Sequence, residues 1–179
     1  VANRSYLYAA DSLPTEQGVP RPVRCVSEHN WSIPLAHLLL AGHEPAVVPS
    51  MIWNHRICVA ADYAAGADLL TALLRLVGEG EVDDREGFDD LAARTALHLE
   101  KQRSRHFLLE PGEIFSINEE DLATAAQSLI DVEIDIAVTR ARAALDGRET
   151  AWLEELRKDW STPFASFYAD HLYYSFPDD

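Results

Sequence analysis

The strongest constraint on the fold is a change of hydrophobic period at residue 62. Ile57-Cys58-Val59-Ala60-Ala61 is a short, continuously apolar run with the character of a buried strand. Directly after it, Leu69, Leu70, Leu73, Leu74 and Val77 recur at spacings of three and four, which places them on one face of a helix. Asp62 is positioned to cap that helix and Gly78 to end it. A buried strand followed at once by an amphipathic helix predicts an α+β fold: a small mixed or antiparallel sheet packed with helices.

The rest of the chain fits that outline. Arg4 to Ala9 is aromatic-rich and strand-like, and Val23 to Val26 reads as a second short strand. Ser32 can cap a helix carrying Leu35, Leu38, Leu39 and Leu40, with Pro34 in its first turn and Gly42 as its stop. Pro45 and Pro49 leave Val47 to Trp53 extended or irregular. A helix is expected over 87–102, with Phe88, Leu91, Ala92, Ala96 and Leu99 inward. His106 to Leu109 reads as a strand, and Pro111-Gly112 as a turn that can lead into a hairpin strand at Ile114 and Phe115.

The carboxy-terminal half is expected to be mainly helical. Asn118 and Asp121 resemble a capping box, with Ile117 and Leu122 as its staple, opening a long helix whose apolar face includes Leu129, Ile130, Ile134, Ile136, Ala137 and Ala141. After Asp146-Gly147 a helix with Trp152, Leu153, Leu156 and Trp160 on one stripe completes a helical hairpin. Thr162-Pro163 starts a last aromatic helix with Phe164, Phe167, Tyr168 and Leu172. No repeat or linker divides the chain, so residues 1–179 are expected to form one domain.

Charge limits the partners. Thirty acidic residues against fifteen basic ones give a formal charge of -15, which repels nucleic acid and anionic membrane surfaces and favours a basic protein partner. The two cysteines, Cys25 and Cys58, form no metal or redox motif. The amino terminus lacks the pattern of a signal peptide, and no apolar run approaches the roughly 20 residues of a membrane helix. These features predict a cytoplasmic protein, and thirteen arginines against two lysines hint at a GC-rich bacterium.

The richest polar cluster is Ser27-Glu28-His29-Asn30-Trp31, read as a loop between a strand and a helix. A second, Trp53-Asn54-His55-Arg56, also borders a strand. Glu28, His29, Asn30, Trp31, Trp53 and His55 are therefore the candidate binding residues. Were the two loops to meet, Glu28, His29, His55 and Cys58 can supply a base, a nucleophile or metal ligands, although capping and loop hydrogen bonds account for such residues more often. Glu79, Glu81 and Asp83 alternate as in a calcium loop, but Asp84 stands where the turn needs glycine. Glu110 and Glu113 flank the Pro-Gly turn and read as solvated carboxylates. No metal site and no cofactor is predicted, and the well-marked catalytic patterns are missing.

Three segments carry a resemblance: Ala2 to Tyr8 (ANRSYLY), Ser27 to Leu35, and Gly112 to Phe115. They resemble an uncharacterised bacterial family with an ANRSYLY amino-terminal strand, which implies no activity and no functional residue. In layout, Leu39-Leu40-Ala41-Gly42 followed by a strand and a Leu-rich helix is similar to YfbM-like proteins, also of unassigned function. The expected function is a non-enzymatic protein-binding module, in a specific form immunity- or inhibitor-like; the alternative is a small enzyme with a Glu/His/Cys pocket. Assembly through the carboxy-terminal helices is a further expectation.

Overall fold

The computed structural model of the chain describes residues 3–177. Val1, and Ala2 at the start of the ANRSYLY segment, lie outside the described residues. The sheet is built from β1 (Arg4–Ala10), β2 (Arg24–Asn30), β3 (Ala46–Val48), β4 (Cys58–Asp62), β5 (His106–Glu110) and β6 (Phe167–Tyr168), in the order β3-β4-β5-β1-β2-β6. Every neighbouring pair is antiparallel. The fold is α+β, with helices dominating the carboxy-terminal half.

Alternation along the strands produces two faces with different covers. Leu7, Ala9, Val59, Phe107 and Leu109 pack under the helices α1 (Leu35–Leu40), α2 (Tyr63–Gly78) and α3 (Arg85–Lys101). The opposite face presents Tyr6, Tyr8, Cys25, Cys58 and Leu108, and is covered by Met51, Ile52, Leu172 and Phe176. Both faces are therefore dry, which explains why β4 is apolar at consecutive positions rather than at alternate ones.

The helix expected after Asp62 forms as α2. Asp62 Oδ2 accepts the Ala65 N–H at 2.9 Å, and Tyr63, Ala67, Leu70, Leu73, Leu74 and Val77 are buried along one side of α2. Its carboxy-terminal carbonyls receive an unexpected partner. The Arg157 guanidinium, from α7 (Thr150–Lys158), donates to Val77 O at 3.0 Å and Leu76 O at 2.9 Å, placing a cation at the negative end of the helix.

Close approach of α1 and α2 depends on Gly66. A Cβ there would stand 2.3 Å from the Leu40 carbonyl oxygen, which is backbone and cannot turn away. Gly66→Ala is expected to destabilise the protein by about 2 kcal/mol despite alanine's better helix propensity. Chemical denaturation would check this, and an unchanged or raised midpoint would refute the tight crossing.

Several local expectations are corrected. β2 runs on to Asn30, so most of the polar cluster at 27–31 is strand rather than loop. The α1 N-cap is Pro34, without a side-chain cap from Ser32. Residues after the Pro111-Gly112 turn form α4 (Gly112–Ile117), not a hairpin strand, because β5 already has β1 and β4 on its two edges. The last aromatic helix is reduced to α8 (Ser161–Phe164), and Phe167 and Tyr168 pair with Glu28 and Ser27 as β6.

The long helix starts later than the proposed capping box, at α5 (Ala125–Ser128), whose N-cap Thr124 makes no side-chain cap bond. A π-helical segment at Leu129–Ile134 joins it to α6 (Asp135–Leu145). The wider π turn shifts the apolar stripe. Ile136 is consequently exposed while Ala137, Ala141 and Ala144 are buried. In α3 the inward position is Thr95, with Ala96 turned out to solvent. Among the described residues no helix is long and apolar enough to cross a membrane.

Candidate functional site

Strand direction gathers the candidate loops at one end of the sheet. Arg4 at the start of β1 pairs with Asn30 at the end of β2, Tyr6 pairs with Glu110 at the end of β5, and Leu109 pairs with Val59 near the start of β4. The chain segments following Asn30, Glu110 and Val48, and the one preceding Cys58, all leave the sheet there.

One concavity at this end is a cleft of about 310 Å³ between the β2–α1 connection, α4 and the π-helical segment. Trp31 and Ile33 form one wall, Phe115 lies at α4, and Val132 and Glu133 come from the π turn, with Glu120 beside them. Trp31 is 58% exposed and adopts a φ of 74°. A bulky side chain in that left-handed region costs of order 1 kcal/mol or more, so the surrounding structure has to impose it. The Trp31 N–H donates to Asn3 O at 2.6 Å, which helps hold this turn.

Val132 is half exposed because the π turn swings it away from the core stripe. π-Helical turns recur at functional sites. The Glu120 carboxyl, on an exposed residue, is held above its ordinary range by partial withdrawal from water and by the Glu133 charge. Two carboxylates that repel one another beside an exposed indole suit a cation chemically, since a positive charge would relieve the repulsion and could stack on the ring.

The other candidate residues are distributed differently. Glu28, His29 and Asn30 line a separate depression with Arg4 and Phe167. Within it Glu28 serves the fold, lying 3.9 Å from the Arg4 guanidinium and accepting the Tyr173 N–H at 3.0 Å. Trp53 and His55 line neither cavity. The Trp53 indole lies over Gly112, where a Cβ would come within 2.4 Å of Nε1, and His55 is exposed. Cys58 is fully buried and its thiol is pushed well up by burial, which removes it as a nucleophile. Among the described residues no group of three or more histidine, cysteine or carboxylate side chains is gathered to hold a metal ion.

Two buried polar arrangements escaped sequence reading. His37, completely buried on α1, has Nδ1 2.9 Å from Ser5 Oγ and Nε2 2.9 Å from Ser27 Oγ. A neutral imidazole carries one N–H and one lone pair, so it donates to one serine and accepts from the other. Burial, with a contribution from His29, depresses its pKa to about 3. All three side chains have zero exposure, so the constellation ties α1 to β1 and β2 and is closed to a substrate.

Glu110, expected to be solvated, is also buried. Its carboxylate accepts the Ser50 hydroxyl at 2.6 Å and the Met51 N–H at 2.7 Å, pinning the 50–56 loop across the sheet. Burial raises its pKa to about 7 against the pull of those two donors. A histidine among leucines and a glutamate at a strand end show no period in sequence. Only the pairing of Tyr6 with Glu110 reveals which sheet face the carboxylate occupies, and only the packing of α1 on β1 and β2 brings His37 to Ser5 and Ser27.

A family model described as "Domain of unknown function (DUF7822)" matches residues 11–158. That span contains the Ser27 to Leu35 and Gly112 to Phe115 segments and the whole Trp31 cleft, but not Ala2 to Tyr8. No curated protein and no solved structure matches the chain.

Proposed function

The chain belongs to this family of unknown function, and on that premise we propose that it is a non-enzymatic protein-recognition module whose Trp31 cleft receives a basic segment of a partner. The observation that carries the reading is an exposed, conformationally imposed tryptophan that lines one cleft together with the repelling Glu120–Glu133 pair. A lysine or arginine entering there would neutralise the carboxylates while its methylene stem packs on Trp31, Ile33 and Val132. The net charge of -15 supports the same partner class by steering a basic protein towards the surface. An immunity- or inhibitor-like role is the finer form of this proposal. The arginine excess and the two free, buried cysteines suit a bacterial cytoplasm.

A peptide of alternating lysine and leucine, titrated into the full chain by calorimetry, tests the cleft. Saturable binding is expected at low salt and should weaken as ionic strength rises. Trp31→Ala, and separately Glu120→Gln with Glu133→Gln, should each weaken it by about tenfold. All these positions are exposed, so the variants should fold. Salt-insensitive binding, no binding, or binding untouched by the substitutions would overturn the proposal.

A further inference from the structure

A second concavity lies along α3 where it meets β6, and it shares no residue with the Trp31 cleft. Its volume is about 340 Å³, within the range of small-molecule sites. Leu97 and Phe167 border it and are 72% and 58% exposed, while Leu91 is buried at its inner side. Apolar side chains so exposed around one hollow are costly unless something covers them.

The polar lining is distinctive. In a chain with twice as many acidic as basic residues, Arg94, His98 and Lys101 all border this cavity. Arg94 Nε lies 3.0 Å from Asp90, Lys101 Nζ lies 2.5 Å from Asp170, and His98 Nε2 lies 3.3 Å from Cys25 O. The two ion pairs are exposed and therefore weakly held, leaving the cations able to exchange partners.

Beneath them the hydrogen bonding is incomplete. Ser166, which lines the cavity, is 7% exposed, and neither its Oγ nor the buried Thr95 Oγ1 has a partner of good geometry. Both stand within reach of the buried Tyr168 hydroxyl, and Tyr168 itself lines the cavity. Three hydroxyls carry three protons; if Ser166 and Thr95 turn theirs to the Tyr168 oxygen, one proton is left for an incoming acceptor. A buried hydroxyl without a partner is costly, and a ligand oxygen reaching this cluster would offset part of that cost.

We propose that this groove between α3 and β6 binds an amphipathic monocarboxylate. The carboxylate would accept the proton left over by the Ser166, Tyr168 and Thr95 hydroxyls and face Arg94 and Lys101, while the apolar body covers Leu91, Leu97 and Phe167. A neutral lipid would leave the hydroxyls and cations unanswered. A small polar anion would leave the apolar rim bare.

Decanoate is the probe, titrated below its micelle concentration into the isotopically labelled full chain and followed by amide NMR shifts. Saturable shifts confined to residues 91–101 and 166–168 are expected. Decanol, with the same tail and no charge, should bind at least about tenfold more weakly. The combined Arg94→Gln and Lys101→Gln variant, altered only at exposed positions, should lose a similar factor. Ser166→Ala should weaken binding by a smaller factor without unfolding the chain. No saturation, shifts located elsewhere, equal binding of decanol, or indifference to the charge-removing variant would each overturn the site.

Discussion

Replacing His37 by leucine is expected to lower the unfolding free energy by about 4 kcal/mol at pH 7.5, and that deficit should nearly vanish at pH 4. The first part follows from the two hydroxyls left behind. Ser5 and Ser27 have zero exposure, and each would lose the ring nitrogen that satisfies it, at about 1–3 kcal/mol apiece. Leucine fills most of the space, so the cavity cost is secondary.

The second part follows from linkage. The folded-state pKa of His37 is depressed to about 3 from an unfolded value of 6.5. Its contribution is therefore fully present above pH 6.5 and is lost as pH falls towards 3, because the unfolded chain binds the proton first. Between pH 6.5 and pH 4 the wild type should lose about 3 kcal/mol by this route, whereas the leucine variant has nothing to titrate at this position. Urea unfolding of both proteins at the two pH values checks it. A gap that stays constant with pH would show that His37 is not held neutral by burial.

What sequence reading captured and what it missed separate along physical lines. The capped helix after Asp62 was legible because its cap, period and stop lie within one short stretch. β1 and β4 were legible because both faces of the sheet are covered, which makes their apolar runs dense. The last aromatic segment was misread, since Phe164, Phe167 and Tyr168 satisfy a helical spacing equally well, and the free edge of β2 claimed the latter two. In the long helix, Ile136 fitted the stripe in sequence, but the π turn at Leu129–Ile134 displaced it from the core.

Among the candidate binding residues, Trp31 was reachable because a tryptophan beside a proline-started helix is conspicuous. Its partners Val132 and Glu133 lie a hundred residues away on a turn whose geometry has no sequence signal, so the cleft itself was not. The buried polar groups were the hardest to see. Nothing local distinguishes Glu110 from Glu113, and their different fates depend on which sheet face β5 presents at its last residue.

Glu110 supplies the second large effect, of opposite sign to that of His37. With its folded-state pKa raised to about 7 from 4.5, its contribution is fully present below pH 4.5 and is lost as pH rises through 7. The ionised carboxylate should cost the wild type about 3 kcal/mol at pH 8.5 relative to pH 4.5. Glu110→Gln removes the titration, so its stability relative to wild type is expected to improve by that amount across the same interval.

The competing force is specific. Ser50 Oγ and Met51 N both donate to the carboxylate, and Ser50 Oγ already accepts from Ile52 N and Trp53 N. An amide NH2 facing that hydroxyl finds no free lone pair, so the glutamine variant should start below wild type at pH 4.5. If the two donors outweighed burial, the pKa of Glu110 would fall below 4.5 and the glutamine variant would drop further behind as pH rises. The sign of the slope decides between them. Over pH 4.5–7 the Glu110 and His37 contributions run in opposite directions at about 3 kcal/mol each, so between them they leave the wild type nearly flat. Each single variant should expose the slope of the group that remains: His37→Leu a stability that falls with rising pH, Glu110→Gln one that falls with acidification.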